Sequence, residues 1–338
     1  MMDHASAPLE SASSGRPQSA LRLRLLLAVL LAFGSDILLW PNPLDRSPLD
    51  WLLVVAGYVL LAVLVLDLLA RYQVHDLFGV MVVAGVYGLL MGMVVNPQFA
   101  LVDLPRTFLT RVMGMYSLMG AEMIGLLVAL TSGGRHYRRL IAGTVVLGIA
   151  WGFWVRWFPV LDDPPSPVVG LPVMLLVGAV GLALVLAALF LARSSDTLPR
   201  NLQLSWRGWL PLVGLLLALL VYQVSQGRVP LDWLLVAALL LGGCWLILWF
   251  RQRERPLIVL DACLPVRPLS ARQFAGVIAL FGGLALVCYN LPLIEIETVN
   301  QQTLIGLGFT AYGLAWLPTV ALVLGARHYT HQIQTRRM

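Results

Sequence analysis

"PLDWLLV" stands at residues 48–54, and the same seven letters return at 230–236. Each copy has an arginine two positions upstream, Arg46 and Arg228. Proline suits the first turn of a helix, aspartate caps it, and tryptophan anchors it at a membrane interface. Each copy opens a run of about 20 mainly apolar residues, the length that crosses a bilayer as one helix. The fold follows from how often the chain repeats this pattern.

Composition sets the solvent. Of 338 residues, 59% are hydrophobic and 12% charged, with mean hydropathy +0.84. Soluble chains carry roughly 25% charged residues, so a water-facing surface cannot be built from this one. All 23 basic residues are arginine, and the net charge is +6. In a membrane chain this reads as basic loops facing anionic lipid. No arginine cluster is interleaved with stacking aromatics in a polar segment, so nucleic acid is not an expected partner. Cys244, Cys263 and Cys288 have neither metal nor redox spacing and read as buried thiols. No cofactor or metal is expected.

Ten spans are expected, near 22–40, 51–70, 77–95, 112–131, 140–158, 168–192, 208–224, 231–250, 274–293 and 303–325. Residues 1–20 read as a disordered tail, and 330–338 as a second one. The first span has no small-residue cleavage site after it and reads as an uncleaved helix. If the amino terminus is cytoplasmic, 18 of the 23 arginines fall on the cytoplasmic side. Arg46, Arg106, Arg111, Arg156 and Arg228 fall outside. That bias fits the positive-inside rule with all ten spans alternating, and places both termini in the cytoplasm of an inner-membrane protein. Trp40, Trp51, Trp154, Trp157 and Trp233 then lie at outer ends, and Trp206, Trp209 and Trp249 at inner ends, as interfacial anchors.

The repeated phrase extends beyond seven letters. Arg71 and Arg253 keep the same 182-residue offset, and Arg-His-Tyr recurs at 135–137 and 327–329. Helices one to four (21–139) therefore resemble helices seven to ten (193–329), with two connecting helices over 140–192. An even offset of six helices gives both halves one orientation, a parallel internal repeat. The expected fold is an all-α transmembrane bundle of about ten helices.

Several stretches between about 168 and 325 carry a family likeness. "RNLQLSWRGWLPLVGLLLALLVYQVSQGR" (200–228), "DWLLVAALLLGGCWLILWFRQRERPLIVLDACLPVRPLSARQF" (232–274) and "FAGVIALFGGLALVCYNLPLIEI" (274–296) resemble two linker helices and the following helix of the fourteen-helix drug:proton antiporters of the major facilitator superfamily. "RVMGMYSLMG" (111–120) is similar to that family's fourth helix. The loop "RYQVHDLFG" (71–79) lacks the family's Gly-x-x-x-Asp-Arg-x-Gly signature. The resemblance implies a truncated or degenerate relative with a carrier-like fold.

Ionisable groups inside spans are functional candidates by default. Glu122 lies ten residues into the fourth span, roughly 15 Å down at 1.5 Å per residue, near the midplane. A carboxyl there either loads and releases a proton, as a proton-coupled carrier requires, or hydrogen-bonds a neighbouring helix. Asp36 and Arg156 lie at comparable depths near outer ends, where an ion pair could form a clamp or a gate. Arg111 is either a substrate-anion contact or an interfacial snorkeller. Asp67, near an inner end, reads as solvated. Met113, Met115, Met119 and Met123 form either an adaptable apolar surface or core filling. Gly88-x-x-x-Gly92 and Gly148-x-x-x-Gly152 mark close helix approach.

The expected function is a carrier-like protein moving or binding a small apolar or amphipathic solute, with protons as co-substrate. The alternative is a non-transporting subunit or scaffold in a larger membrane complex, working as a homo-oligomer or with a partner subunit. The third reading is a lipid-modifying enzyme using the outer carboxylates Asp162, Asp163, Glu295 and Glu297, although "LDDPPSP" (161–167) is also ordinary turn chemistry. No phosphate-binding loop is present.

Overall fold

The computed structural model describes residues 17–39, 46–157, 169–193, 195, 198–250, 259–267, 269–291 and 301–336. In chain order the helices are α1 (Pro17–Ala32), α2 (Pro48–Arg71), α3 (Leu77–Leu90), a short α4 (Pro97–Ala100), α5 (Ser117–Thr131), α6 (Tyr137–Trp157), α7 (Leu171–Ala192), α8 (Trp206–Ser225), α9 (Leu231–Phe250), α10 (Ala271–Asn290) and α11 (Gln301–Arg336). Three of them carry π-helical segments: Phe33–Leu38 extends α1, Met91–Val95 extends α3, and Phe108–Tyr116 leads into α5. There are no strands among the described residues, only one isolated bridge between Ser132 and Arg267.

Nine helical stretches among the described residues are long and apolar enough to cross a membrane. The chain is an all-α multi-pass membrane bundle. The first expected crossing, 22–40, falls on α1 and its π-helical extension, which carry Arg22, Arg24 and Asp36 and are not among the nine. Helices suit this environment because each backbone N–H and C=O is satisfied within the segment. Their starts are set locally. Ser47 caps α2 by accepting from the Asp50 N–H at 3.1 Å, with Pro48 at the first position. Asp76 caps α3 through the Gly79 N–H, and Ser270 with Gln273 forms a capping box on α10.

The helices divide into a core and a shell. α1, α2, α3 and α5 pack around one another as a central quartet. Leu23, Leu26, Leu27, Leu30 and Leu31 of α1 repeat at helical spacing and are wholly buried. Of the apolar windows of α2 and α3, 61% and 83% of residues are buried, against 17% in α8, α9, α10 and α11. Four shell helices lean on the core: α7 on α1, α8 on α2, α9 on α3, and α11 on α3 and the π-helical lead into α5. α10 packs chiefly on α6. Leu176, Leu235, Leu239 and Leu322 of the shell are exposed, as side chains facing lipid tails would be.

Helices one to four thus build a closed quartet, while helices seven to ten are spread around it. Both copies of the repeated phrase do start helices, α2 and α9, and they meet at one end of the bundle. Arg228, ahead of the second copy, reaches Asp50 of the first at 3.5 Å.

Contacts near helix ends sort into two sets. One set joins Asp36 to Arg46, Asp50 to Arg228, Val94 to Gln223, and Arg156 to Tyr289. The other joins Arg24 to Leu202, Asp67 to Leu204, Val74 to Val259, and Thr131 to Arg267. These are the groupings that alternating crossings require. Asp67 departs from expectation, because it is wholly buried. Its carboxylate accepts two hydrogen bonds from Arg71, each 2.9 Å, and a third from the Leu204 N–H. Arg71 also donates to the Leu204 carbonyl and lies over the Trp209 ring. The 198–204 segment is therefore clamped over the end of α2, which excludes water from Asp67.

Both Gly-x-x-x-Gly pairs are close-approach seams. Gly88 lies against the backbone of Val112 and Ser117, and Gly92 against the Val112 side chain. Gly148 and Gly152 lie against the carbonyls of Phe281 and Ala285, which lets α6 and α10 meet backbone to backbone. On α6, Gly143 differs, with nothing within 4 Å of where a Cβ would stand. Gly152→Val should therefore lower stability by about 1–3 kcal/mol through overpacking. Gly143→Leu should leave the thermal midpoint in the same detergent unchanged or slightly higher. Equal destabilisation by both would contradict the seam.

Candidate functional site

Two arrangements of polar residues stand out within the apolar interior. The first lies where the three π-helical segments converge. A π turn widens the helix and breaks its regular hydrogen-bond ladder, and such turns recur at functional sites. The segment after α1 carries Ser35 and Asp36, the one after α3 runs into Asn96, and the one before α5 ends in Tyr116. Ser35 and the Tyr87 hydroxyl share a 2.6 Å hydrogen bond, and Asn96 donates to the Tyr116 hydroxyl at 2.9 Å. Tyr58, Tyr87 and Tyr116 are all fully buried and within electrostatic range of Asp36.

Asp36 accepts from Arg46 at 2.7 Å, and the two side chains are 2% and 3% exposed. Burial alone would lower the Arg46 guanidinium, but the Asp36 charge and hydrogen bond more than offset it and hold it above the ordinary arginine value. Arg46 also lies over the Trp51 ring at 5.0 Å. Asp36 Oδ2, Arg46 Nη1 and the Tyr58 hydroxyl find no hydrogen-bond partner among the described residues.

This corrects the expected pairing of Asp36 with Arg156. Comparable depth permits that pair, but Arg156 donates to the carbonyls of Tyr289 and Leu291 instead, tying α6 to the end of α10. Arg111 is likewise engaged in holding structure. It donates to the Phe99 carbonyl and lies over the Phe99 ring at 4.2 Å. Trp154, expected as an interfacial anchor, donates to the Leu39 carbonyl at 2.6 Å, and Trp151 donates to Ile37 at 2.8 Å. Both satisfy carbonyls at the end of the first π segment. Met113, Met115, Met119 and Met123 are all buried, so they fill the core rather than form an open surface.

The second arrangement surrounds Glu122. α5 and α6 diverge beyond their shared turn, leaving a groove of about 550 Å³. Glu122, Thr144, His136 and Arg139 supply its polar lining, and Gly125, Leu126 and Leu147 are among its apolar walls. Glu122 is half-buried and makes no hydrogen bond or ion pair among the described residues. Behind the groove lies a second cavity of about 60 Å³ that shares Leu126, Thr144 and Leu147 with it. That cavity reaches Phe33, the first residue of the π segment that holds Asp36. The small cavity thus has lining in common with the groove and with the segment that carries the ion pair.

Asp162, Asp163, Glu295 and Glu297 lie outside the described residues. The three cysteines are free and buried, and burial pushes the Cys263 thiol up to about 12, far from thiolate chemistry at neutral pH. No group of acidic, histidine or cysteine side chains able to hold a metal ion occurs among the described residues. Sequence reading missed Arg46, Tyr58, Tyr87, Asn96 and Tyr116. The available signal was three tyrosines deep inside leucine-rich spans, whose hydroxyls need partners. No known protein family, curated protein or solved structure matches the chain.

Removing one partner of a buried ion pair leaves the other charge stranded, at about 3–5 kcal/mol, whereas replacing both with apolar groups can be neutral. Arg46→Met and Asp36→Leu should each be strongly destabilising in detergent unfolding titrations. The double variant should recover most of the loss. A double variant as unstable as the sum of the two would show that the pair is not a unit.

Proposed function

We propose that the protein is a carrier-like membrane protein that binds a small apolar or amphipathic solute in the α5–α6 groove. Glu122 serves as its proton site. The observation that carries this reading is a mid-helix carboxyl that makes no hydrogen bond or ion pair among the described residues, with Tyr312 of α11 in electrostatic range, lining an open groove of about 550 Å³. Ligand sites of this kind are typically about 300–1,000 Å³, mostly apolar, with few polar groups. A carboxyl facing hydrocarbon is costly and is kept where it does work.

The Asp36–Arg46 pair completes the reading as a gate. It seals the bundle at one end, while the groove opens toward the other, past His136 and Arg139. The small cavity behind the groove gives a solute a direction in which to advance. The resemblance of 168–325 to drug:proton antiporters points the same way. The arginine bias supports an inner-membrane location with both termini in the cytoplasm and the groove opening on the cytoplasmic side.

The test is uptake of a fluorescent amphiphile by proteoliposomes under an imposed pH step. The wild-type chain should give a component that depends on the step, and Glu122→Gln should abolish it while protein insertion stays normal. Unchanged uptake in Glu122→Gln would remove the proton site. Absence of any uptake by the wild type would favour a non-transporting subunit.

A further inference from the structure

We infer that the α5–α6 groove is a site for an anionic phospholipid drawn sideways from the bilayer, its headgroup held by Arg139 and His136 and its acyl chain lying toward Glu122. This rests on the groove being the solute site, and it names the class of solute.

The groove is not a closed chamber. Gly125, Ala142, Gly143 and Val146 along it are exposed, so its long side faces the hydrocarbon of the membrane. A solute reaches such a groove from the lipid phase rather than from water. Its walls include small residues, Gly125, Ala142 and Gly143. No atom lies within 4 Å of a Cβ built on Gly125 or on Gly143, so these two glycines leave room that a leucine would fill. Glu122 stands nine residues before the end of α5 at Thr131, about 14 Å along the helix at 1.5 Å per residue. That distance matches one leaflet of a hydrocarbon core about 30 Å thick. The groove is as deep as one acyl chain is long.

The charge at its mouth selects the headgroup. His136 and Arg139 line that end, and Arg135 and Arg138 flank them in sequence. His136 is oriented by Ser132 at 3.2 Å, whereas Arg139 is exposed and makes no hydrogen bond or ion pair among the described residues. A phosphate offers acceptors to match these donors. A cationic head at the same level would meet basic side chains only. The arginine asymmetry supports a mouth on the cytoplasmic side, in the leaflet where anionic lipids are concentrated.

The experiment uses the full-length chain, purified in micelles doped with equal phosphatidylglycerol and phosphatidylcholine of matched chains, with retained lipid read by native mass spectrometry. Wild type should retain phosphatidylglycerol over phosphatidylcholine. Arg139→Gln should reduce that retention about fivefold, the loss expected for one basic contact. Gly143→Leu, which keeps every charge and whose Cβ meets no neighbour, should reduce it at least as much. Gly125→Leu repeats this test from the other wall should Gly143→Leu fail to fold. Equal retention of the two lipids by wild type would overturn the inference. So would wild-type retention in the leucine variants, since the arginines would then act only as a charged surface. Equal retention by wild type alongside intact Glu122-dependent uptake would overturn this inference alone. Retained lipid without uptake would overturn the carrier reading alone.

Discussion

One salt bridge closed to both water and lipid organises the centre of this protein. Asp36 and Arg46 are each almost wholly buried, and neither charge could stand there alone. The pair forms because α1 loses its regular register at Phe33–Leu38, turning Asp36 toward the interior. Arg46 reaches in from the start of α2. The broken register leaves the carbonyls of Ile37 and Leu39 without helical partners, and Trp151 and Trp154 of α6 donate to them. A single buried charge thus fixes the end of α1, the start of α2 and the upper part of α6. The same demand for partners explains why three tyrosines and Asn96 crowd the site.

The opposite end is closed by a different device. Asp67 is buried because the 198–204 segment folds over it, giving its carboxylate three donors from Arg71 and Leu204. Between these two polar seals the core helices meet through leucine, methionine and glycine, where geometry rather than charge decides. Glu122 belongs to neither seal. A carboxylate that makes no hydrogen bond or ion pair among the described residues, with only Tyr312 in electrostatic range, beside the α5–α6 groove, is therefore a group free to change its protonation or its ligand.

The membrane class and the positions of nine long apolar helices were legible in composition and in the runs of apolar residues, because helix formation in lipid responds to those same quantities. The start of α2 was legible in part: Pro48 stands in its first turn as read, but Ser47 rather than Asp50 supplies the cap. Lateral packing was not. Nothing in a leucine-rich span says whether it will sit in the central quartet or in the shell, since both environments are apolar. The partner of Asp36 was missed for a related reason. Depth made Arg156 eligible, but a π turn redirects a side chain without leaving a sequence signature, and Arg46 lay in a loop. Asp67 was misread because its burial depends on a segment more than a hundred residues away. Glu122 needed only its depth to be noticed, and the structure adds the groove beside it.

The duplicated phrase shows where such reading ends. Proline, aspartate and tryptophan fix how a helix begins and at what level it meets the interface, and α2 and α9 obey that instruction alike. Their arginines then part company. Arg46 turns inward to Asp36, while Arg228 bridges Gln223 and Asp50 at the surface of the quartet. What differs is the preceding segment: a broken helix end carrying an aspartate in the first case, and a regular α8 ending at Ser225 in the second. Identical letters set the same vertical address. The lateral address comes from whichever neighbour offers the unsatisfied charge.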